Sequence, residues 1–275
     1  MSEFSPLAPP QARSGPLAGV GVIVTRPQRQ SAAFATRIAT LGAAPLIWPA
    51  IVIVPPLDTA PLARAHATLA SYDIAVFVSA NAVEYGAPSP RDWPAHLIPF
   101  APGPATAEAL DGVGIVGAKV PTTTHDSEGL LQLPELAELD GRRVVVFRGE
   151  GGREFLGNAL RARGAVVDHV TCYRRVAPTA GTEGLVEALR GGAANALTIT
   201  SAEGLDNLVA ALPSEGRDLL TRIPVFAGHP RIAERARERG LHAVEATGGD
   251  AGLLAGLLEW FRTHPHPRAG APPGA

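Results

Sequence analysis

Polar residues gather where short apolar runs end: Thr25-Arg26-Pro27, Ser79-Ala80-Asn81, Pro104-Ala105-Thr106, Arg148-Gly149-Glu150-Gly151-Gly152-Arg153, Thr200-Ser201-Ala202 and His229-Pro230-Arg231. Each cluster opens a segment of helical spacing. Free backbone N–H groups at a helix start, reinforced by the helix dipole, hold carboxylate or phosphate without a strongly basic surface. Guanidinium forks in the same loops add charge-assisted hydrogen bonds. The chemistry on offer is therefore the holding and orienting of an anionic molecule. A plainer role stays open, because Ser79, Ser201 and Thr106 are also good helix caps. Tyr173 stands apart, inside the extended run Thr171-Cys172-Tyr173-Arg174-Arg175. Phenols titrate near ~10, so at pH 7 such a group donates a hydrogen bond or acts as a weak acid, and it is no base. Its plainer alternative is a half-buried strand tyrosine.

Other chemistries are absent from the sequence. The glycine loop after Phe147 lacks the Lys-Ser/Thr of a phosphate-binding loop and the G-x-G-x-x-G spacing of dinucleotide binders, which argues against a nucleotide. Neither a G-x-S-x-G elbow nor an H-E-x-x-H helix occurs, and the eight histidines are scattered, with His264 and His266 near the end. The single cysteine, Cys172, excludes an internal disulfide and any multi-cysteine metal site, and it reads as a small buried hydrophobe. The formal net charge is −2, and Arg supplies every basic residue except Lys119. Bulk electrostatics thus point to neither a nucleic-acid nor a membrane partner. Hydrophobic residues make up 46% of the chain, yet no apolar run reaches the ~18 residues of a membrane span. The first residues do not resemble a secretory signal, so the cytoplasm is the expected compartment.

What must position these loops is a repeated architecture. At an offset of 122, Val22-Ile23-Val24-Thr25-Arg26 lies opposite Val144-Val145-Val146-Phe147-Arg148, and Ile74 to Ala80 lies opposite Ala196 to Ala202. Small gaps bring Gly103-Pro104-Ala105-Thr106 against Gly228-His229-Pro230-Arg231, and Asp126-Ser127-Glu128-Gly129 loosely against Asp250-Ala251-Gly252. The spacing predicts strands at Val20–Val24, Ile74–Val78, Leu97–Ala101, Val113–Val116, Val144–Phe147, Ala196–Thr200, Ile223–Ala227 and His242–Glu245, with extended stretches at Pro45–Pro55 and Val166–Val176. Amphipathic segments such as Ala33-Phe34-Arg37-Ile38-Leu41, closed by Gly42, intervene. Near-continuous apolar strands alternating with helices predict parallel sheets covered on both faces, with ligands beyond the carboxyl ends of the strands. A duplicated α/β chain with a site between its copies follows as the expectation. Residues 1–16 and 263–275, rich in Pro, Ala and Gly, are expected to be disordered tails.

Taken together, Val24-Thr25-Arg26-Pro27, Phe77-Val78-Ser79-Ala80-Asn81-Ala82-Val83, Gly103-Pro104-Ala105-Thr106-Ala107, Asp126-Ser127-Glu128-Gly129-Leu130-Leu131, the Arg148–Arg153 loop, Cys172-Tyr173-Arg174-Arg175 and His229-Pro230-Arg231-Ile232-Ala233 resemble the uroporphyrinogen-III synthase family. The resemblance covers roughly residues 17 to 262 and rests on the order and spacing of motifs that are individually weak. It implies two flavodoxin-like, doubly wound parallel-sheet domains joined by a two-stranded antiparallel ladder. Residues 17–46 with 177–262 would form one discontinuous domain, 53–170 the inserted one, and 47–52 with 171–176 the linker strands near Trp48 and Tyr173.

The same resemblance implies a cofactor-free cyclising hydro-lyase of tetrapyrrole (heme) biosynthesis. Its substrate would be hydroxymethylbilane, a linear chain with eight carboxylates, handed over transiently by hydroxymethylbilane synthase, and the protein a cytoplasmic monomer. Loss of the ring A hydroxyl would give an azafulvene, and attack by the substituted carbon of ring D a spiro intermediate that recloses inverted as uroporphyrinogen III. Tyr173 matches the family's important tyrosine and would donate to the departing hydroxyl. Thr25, Arg26, Ser79, Ala80, Asn81, Thr106, Arg148, Gly149, Gly151, Gly152, Arg153, Thr200, Ser201, Ala202, His229, Pro230 and Arg231 would hold the acid arms. One departure is that Pro230 and Arg231 stand where some members carry a threonine pair, so a guanidinium replaces a hydroxyl there. The alternative is a non-catalytic tetrapyrrole-binding sensor on the same fold; no output module accompanies it.

Overall fold

The computed structural model describes residues 14–265 with the exception of Arg153. Most of the expected tails lies outside the described residues. Leu17 is fully buried, its N–H donates to Leu41 O at 2.9 Å, and Gly15 packs so closely on the Leu41–Gly42 turn that a Cβ would lie 2.4 Å from Leu41 O. Gly15, inside the first expected tail, is thus held against this turn, and the last helix, Gly249–Thr263, reaches the residue where the second tail was expected to begin.

Among the described residues, ten strands form two sheets of five: β1 (Gly21–Val24), β2 (Ala44–Ile47), β3 (Val52–Val54), β4 (Ile74–Phe77), β5 (Ile98–Phe100), β6 (Arg143–Gly149), β7 (Val166–Val176), β8 (Ala196–Ile199), β9 (Pro224–Ala227) and β10 (His242–Glu245). The first sheet runs β10-β9-β8-β1-β2 and the second β3-β7-β6-β4-β5. The pairs β1–β2, β1–β8, β8–β9, β9–β10, β4–β5, β4–β6 and β6–β7 are all parallel. The chain divides into two compact units, one of residues up to Val52 together with those from Val176, the other Ile53–Arg175.

Alternation along each strand explains the layers, because successive side chains leave opposite faces. In the first sheet Ile23, Leu197, Ile199 and Val225 enter one core, while Val22, Val24, Ala196 and Phe226 enter another. The second sheet repeats the scheme: Ala75, Phe77, Val145 and Phe147 face one helical layer, and Ile74, Val76, Val144 and Val146 the other. Both faces of the inner strands β1, β4, β6, β8 and β9 are thus apolar, which is why these segments read as unbroken hydrophobic runs. The rings of Phe77 and Phe147 stack across neighbouring strands at 4.6 Å. Truncating either to Ala removes packing worth ~3–5 kcal/mol at a fully buried site.

Two expected elements differ. Pro45–Pro55 is not one extended stretch but β2 and β3, interrupted at Trp48–Ile51. Trp48 N–H still donates to Val24 O in step with Ala44 N–H to Val20 O, but Pro49 carries no N–H and Ala50 N–H donates to Thr25 O, one residue out of step, which ends the regular ladder. Val113–Val116 forms no strand. Gly114 and Gly117 both take positive φ, turning the segment so that only Ile115 is buried while Val116 stays 72% exposed. A single parallel bridge, Phe100 to Lys119, stands at that edge of the sheet.

Candidate functional site

Sheet register creates the site in the second unit. β6 and β7 pair residue for residue up to Arg148–Thr171, and then Gly149 pairs with Tyr173, leaving Cys172 as the extra residue of a bulge. Bulges re-aim the side chain that follows them, and here the Tyr173 ring comes to rest on Gly149. A Cβ at Gly149 would lie 2.6 Å from the ring, so no other residue fits without moving the phenol. Tyr173 is 3% exposed and packs beside Tyr85, ring centres 6.3 Å apart.

β4 delivers Ser79 to the same place. Its Oγ caps the helix Ala80–Gly86 by accepting from Ala82 N–H at 3.1 Å, and it lies 3.2 Å from the Tyr173 hydroxyl. With one lone pair occupied by the amide, the serine proton can be given to the phenol oxygen, which frees the phenol proton for a ligand.

Around this pair opens a pocket of about 320 Å³, lined by Ser79, Ser127, Arg148, the Gly149–Gly152 loop, His169, Tyr173 and Arg175, among others. That volume is at the lower end of the ~300–1,000 Å³ typical of small-molecule sites. Gly151 takes φ +68 in an open position, whereas a Cβ at Gly152 would lie 3.0 Å from Arg148 Nε. Arg148 is nearly buried. Its Nη1 donates to Glu154 Oε1 at 2.6 Å and its Nη2 to the Gly152 carbonyl, and Nη1 lies 3.2 Å from His169 Nδ1. Arg148 holds the Glu154 carboxyl below the usual range. Burial pushes the His169 imidazole down, partly opposed by Glu154 and reinforced by Arg148 and Arg161. His169 Nδ1 also lies 3.2 Å from Glu154 Oε2, but a guanidinium only donates, so the neutral ring with its proton on Nε2 is the form that fits both the Arg148 contact and the downward shift. Cys172 is fully buried and its thiol is pushed up to about 12 by burial, which makes it an inert core residue.

The structure brings Ser79, Arg148, Gly149, Gly151, Gly152 and Tyr173 together. Ala80 and Asn81 occupy the first turn of the helix that Ser79 caps, and Thr106 is buried in the first turn of the helix Pro104–Gly112. Arg153 lies outside the described residues. The remaining expected residues belong to the first unit. Thr25 Oγ1 donates inward to Thr198 O at 2.8 Å, and Arg26 is paired with Asp250 at 2.5 Å while stacked over Phe34. Ser201 caps Gly204 N–H and His229 Nδ1 caps Arg231 N–H, with Thr200, Ala202, Pro230 and Arg231 exposed. Sequence reasoning missed His169 and Glu154; it named Glu150 within the Arg148–Arg153 loop and Ser127 and Arg175 within motifs, without singling them out as site residues. His169 had only an indirect signal: regular alternation would place it on the face of Tyr173, four residues on, but the bulge at Cys172 breaks that alternation, so the sequence alone could not place it. Glu154 had none, because only the fold of the loop turns it back onto Arg148.

Residues 32–254 match the family described as Uroporphyrinogen-III synthase HemD. The chain is 35% identical to the uroporphyrinogen-III synthase of Salmonella typhimurium and 34% to that of Escherichia coli, in each case over 80% of this chain and 92% of the relative. Among solved structures, that of uroporphyrinogen-III synthetase from Helicobacter pylori superposes with a TM-score of 0.56 at 14% identity, covering 89% of this chain and 99% of the other. A mutant uroporphyrinogen III synthase from Thermus thermophilus gives 0.55 at 24% over the same shares. Both likenesses speak to the mixed α/β fold.

Proposed function

The chain belongs to the uroporphyrinogen-III synthase HemD family, and on that premise we propose that it cyclises hydroxymethylbilane, using the pocket at the carboxyl ends of β4, β6 and β7 to orient one end of the substrate. It is a cyclising lyase of tetrapyrrole biosynthesis. The observation that carries the site is the Tyr173–Ser79 hydrogen bond at the head of the glycine-lined pocket.

The pocket takes part of the substrate, one ring with its acid arms, since a four-ring chain exceeds its volume. Tyr173 donates to the ring A hydroxyl as it departs, leaving an azafulvene. The substituted α-carbon of ring D then attacks, and the spiro intermediate fragments and recloses inverted. Pyrrole electrons supply the push, so the protein's work is orientation, bringing the crowded carbon within reach before the free end closes on its unsubstituted carbon. Ser79 holds the phenol, and the Gly149–Gly152 loop presents its backbone to the acetate and propionate arms.

We further propose that the two units are flavodoxin-like copies of one ancestral domain. In support, strands that correspond at the 122-residue offset take the same positions, β2-β1-β8-β9 in the first sheet against β7-β6-β4-β5 in the second.

The test is to add the purified protein to hydroxymethylbilane generated in situ, oxidise the products and separate the isomers. Predominant type III porphyrin is expected. Type I at the uncatalysed rate would overturn the reading and leave a tetrapyrrole-binding protein.

A further inference from the structure

Arg148 sits at the base of the glycine loop, 8% exposed, with its charge turned away from open solvent. Three separate elements converge on it: β6 carries Arg148, β7 carries His169, and the start of the helix Phe155–Ala162 carries Glu154. We propose that Glu154, Arg148 and His169 form a strut that sets the conformation of the Gly149–Gly152 loop, so that Glu154 and His169 are positioning residues for the acid arms while Arg148 is spent on the strut and not on substrate. This rests on the reading of the pocket given above.

The donor geometry supports it. One arm of the guanidinium meets Glu154 and His169, and the other meets the carbonyl of Gly152 at the far end of the loop. Gly152 itself lies against the guanidinium, where a Cβ would come within 3.0 to 3.3 Å of Nε, Nη2 and Cζ. The imidazole is pinned from behind as well. A Cβ on Gly157 would stand 2.2 Å from His169 Nε2, so the helix has its glycine where the ring needs room. A nearly buried guanidinium that lost its carboxylate would carry an uncompensated charge and seek new partners, releasing Gly152.

The competing possibility is that Arg148 grips a substrate carboxylate and Glu154 merely masks it. The two predict opposite signs. Glu154→Gln preserves shape and removes the charge, and since the Glu154 side chain is 57% exposed the variant is expected to fold. With in situ hydroxymethylbilane its KM is expected to rise about three- to tenfold, the loss of one charge-assisted contact, with kcat within about twofold. A fall in KM would overturn the strut. Hydrogen exchange at Glu150, the loop amide that donates to Tyr173 O at 2.8 Å, measured without substrate, is expected to accelerate in Glu154→Gln; unchanged exchange would also overturn it. A second pair removes doubt about folding: His169→Gln keeps an acceptor for Arg148 and should retain loop protection, whereas His169→Leu should lose it, and equal behaviour of the two counts against the strut. Because exchange needs no substrate, an inactive wild-type chain would defeat the proposed function while still leaving the strut decided.

Discussion

The two units carry the same loops and use them differently. Arg26 and Arg148 correspond at the 122-residue offset, as do Ser79 and Ser201. In the first unit Arg26 is paired with Asp250 at the start of the C-terminal helix and also faces Arg37 through that carboxylate. Arg148 instead turns back on Glu154 in the loop it opens, and thereby shapes that loop. Both serines cap their helices with nearly identical geometry, 3.1 Å to Ala82 N and 3.0 Å to Gly204 N. Only Ser79 also meets a phenol, because the position matching Tyr173 in the first unit is Ile51, which is buried and has no hydroxyl. A helix cap is thus a starting point to which one strand bulge and one tyrosine add a polar pocket.

The sharpest way to break this comparison is Tyr173→Phe, which removes the one group without a counterpart. Turnover on hydroxymethylbilane is expected to fall about 10²-fold with the circular dichroism spectrum unchanged. Full retention of activity would reduce the second unit's pocket to a structural accident. A smaller effect separates the two serines. Ser79→Ala and Ser201→Ala should each cost ~1 kcal/mol of stability by denaturant titration, the usual worth of a cap. Ser79→Ala alone should also lower kcat, by about tenfold, because a displaced donor loses its alignment. Equal kcat values for the two variants would erase the distinction.

The smallest expected effect lies in pH. The His169 imidazole is lowered in the folded chain from the ordinary 6.5, chiefly by burial. The unfolded chain therefore takes up that proton first, so the stability is fully present above about 6.5 and is lost as the pH falls through the folded value. Glu154, also lowered, adds a loss in the same direction at pH values below the ordinary carboxylate range. Melting temperatures from pH 7.5 to 5.5 should decline less in His169→Gln than in the parent. Parallel declines would show that His169 does not titrate as its surroundings require.

Much of the framework was legible from residue order. Parallel sheets followed from runs such as Ile74–Phe77 and Ala196–Ile199, buried on both faces, and the strand-end serines were identified as caps and as loop residues together. Val113–Val116 misled because β-branched residues look strand-like wherever they fall, while the two flanking glycines that turn the chain carry no sign of φ in their letters. Pro45–Pro55 looked continuous for a related reason: proline is compatible with extended backbone, and only the destination of neighbouring amides reveals the break. Arg148 was expected to meet a ligand, yet Glu154, Gly152 and His169 already surround it.

Periodicity and the internal repeat determined the layers, the positions of the loops and the presence of anion-holding groups there, because burial of alternate side chains is written in residue type. Tertiary structure alone decided which of those groups meet. A one-residue slip between β6 and β7 sends Tyr173 over Gly149 and toward Ser79, and register of that kind depends on the pairing partner, not on the strand's own composition.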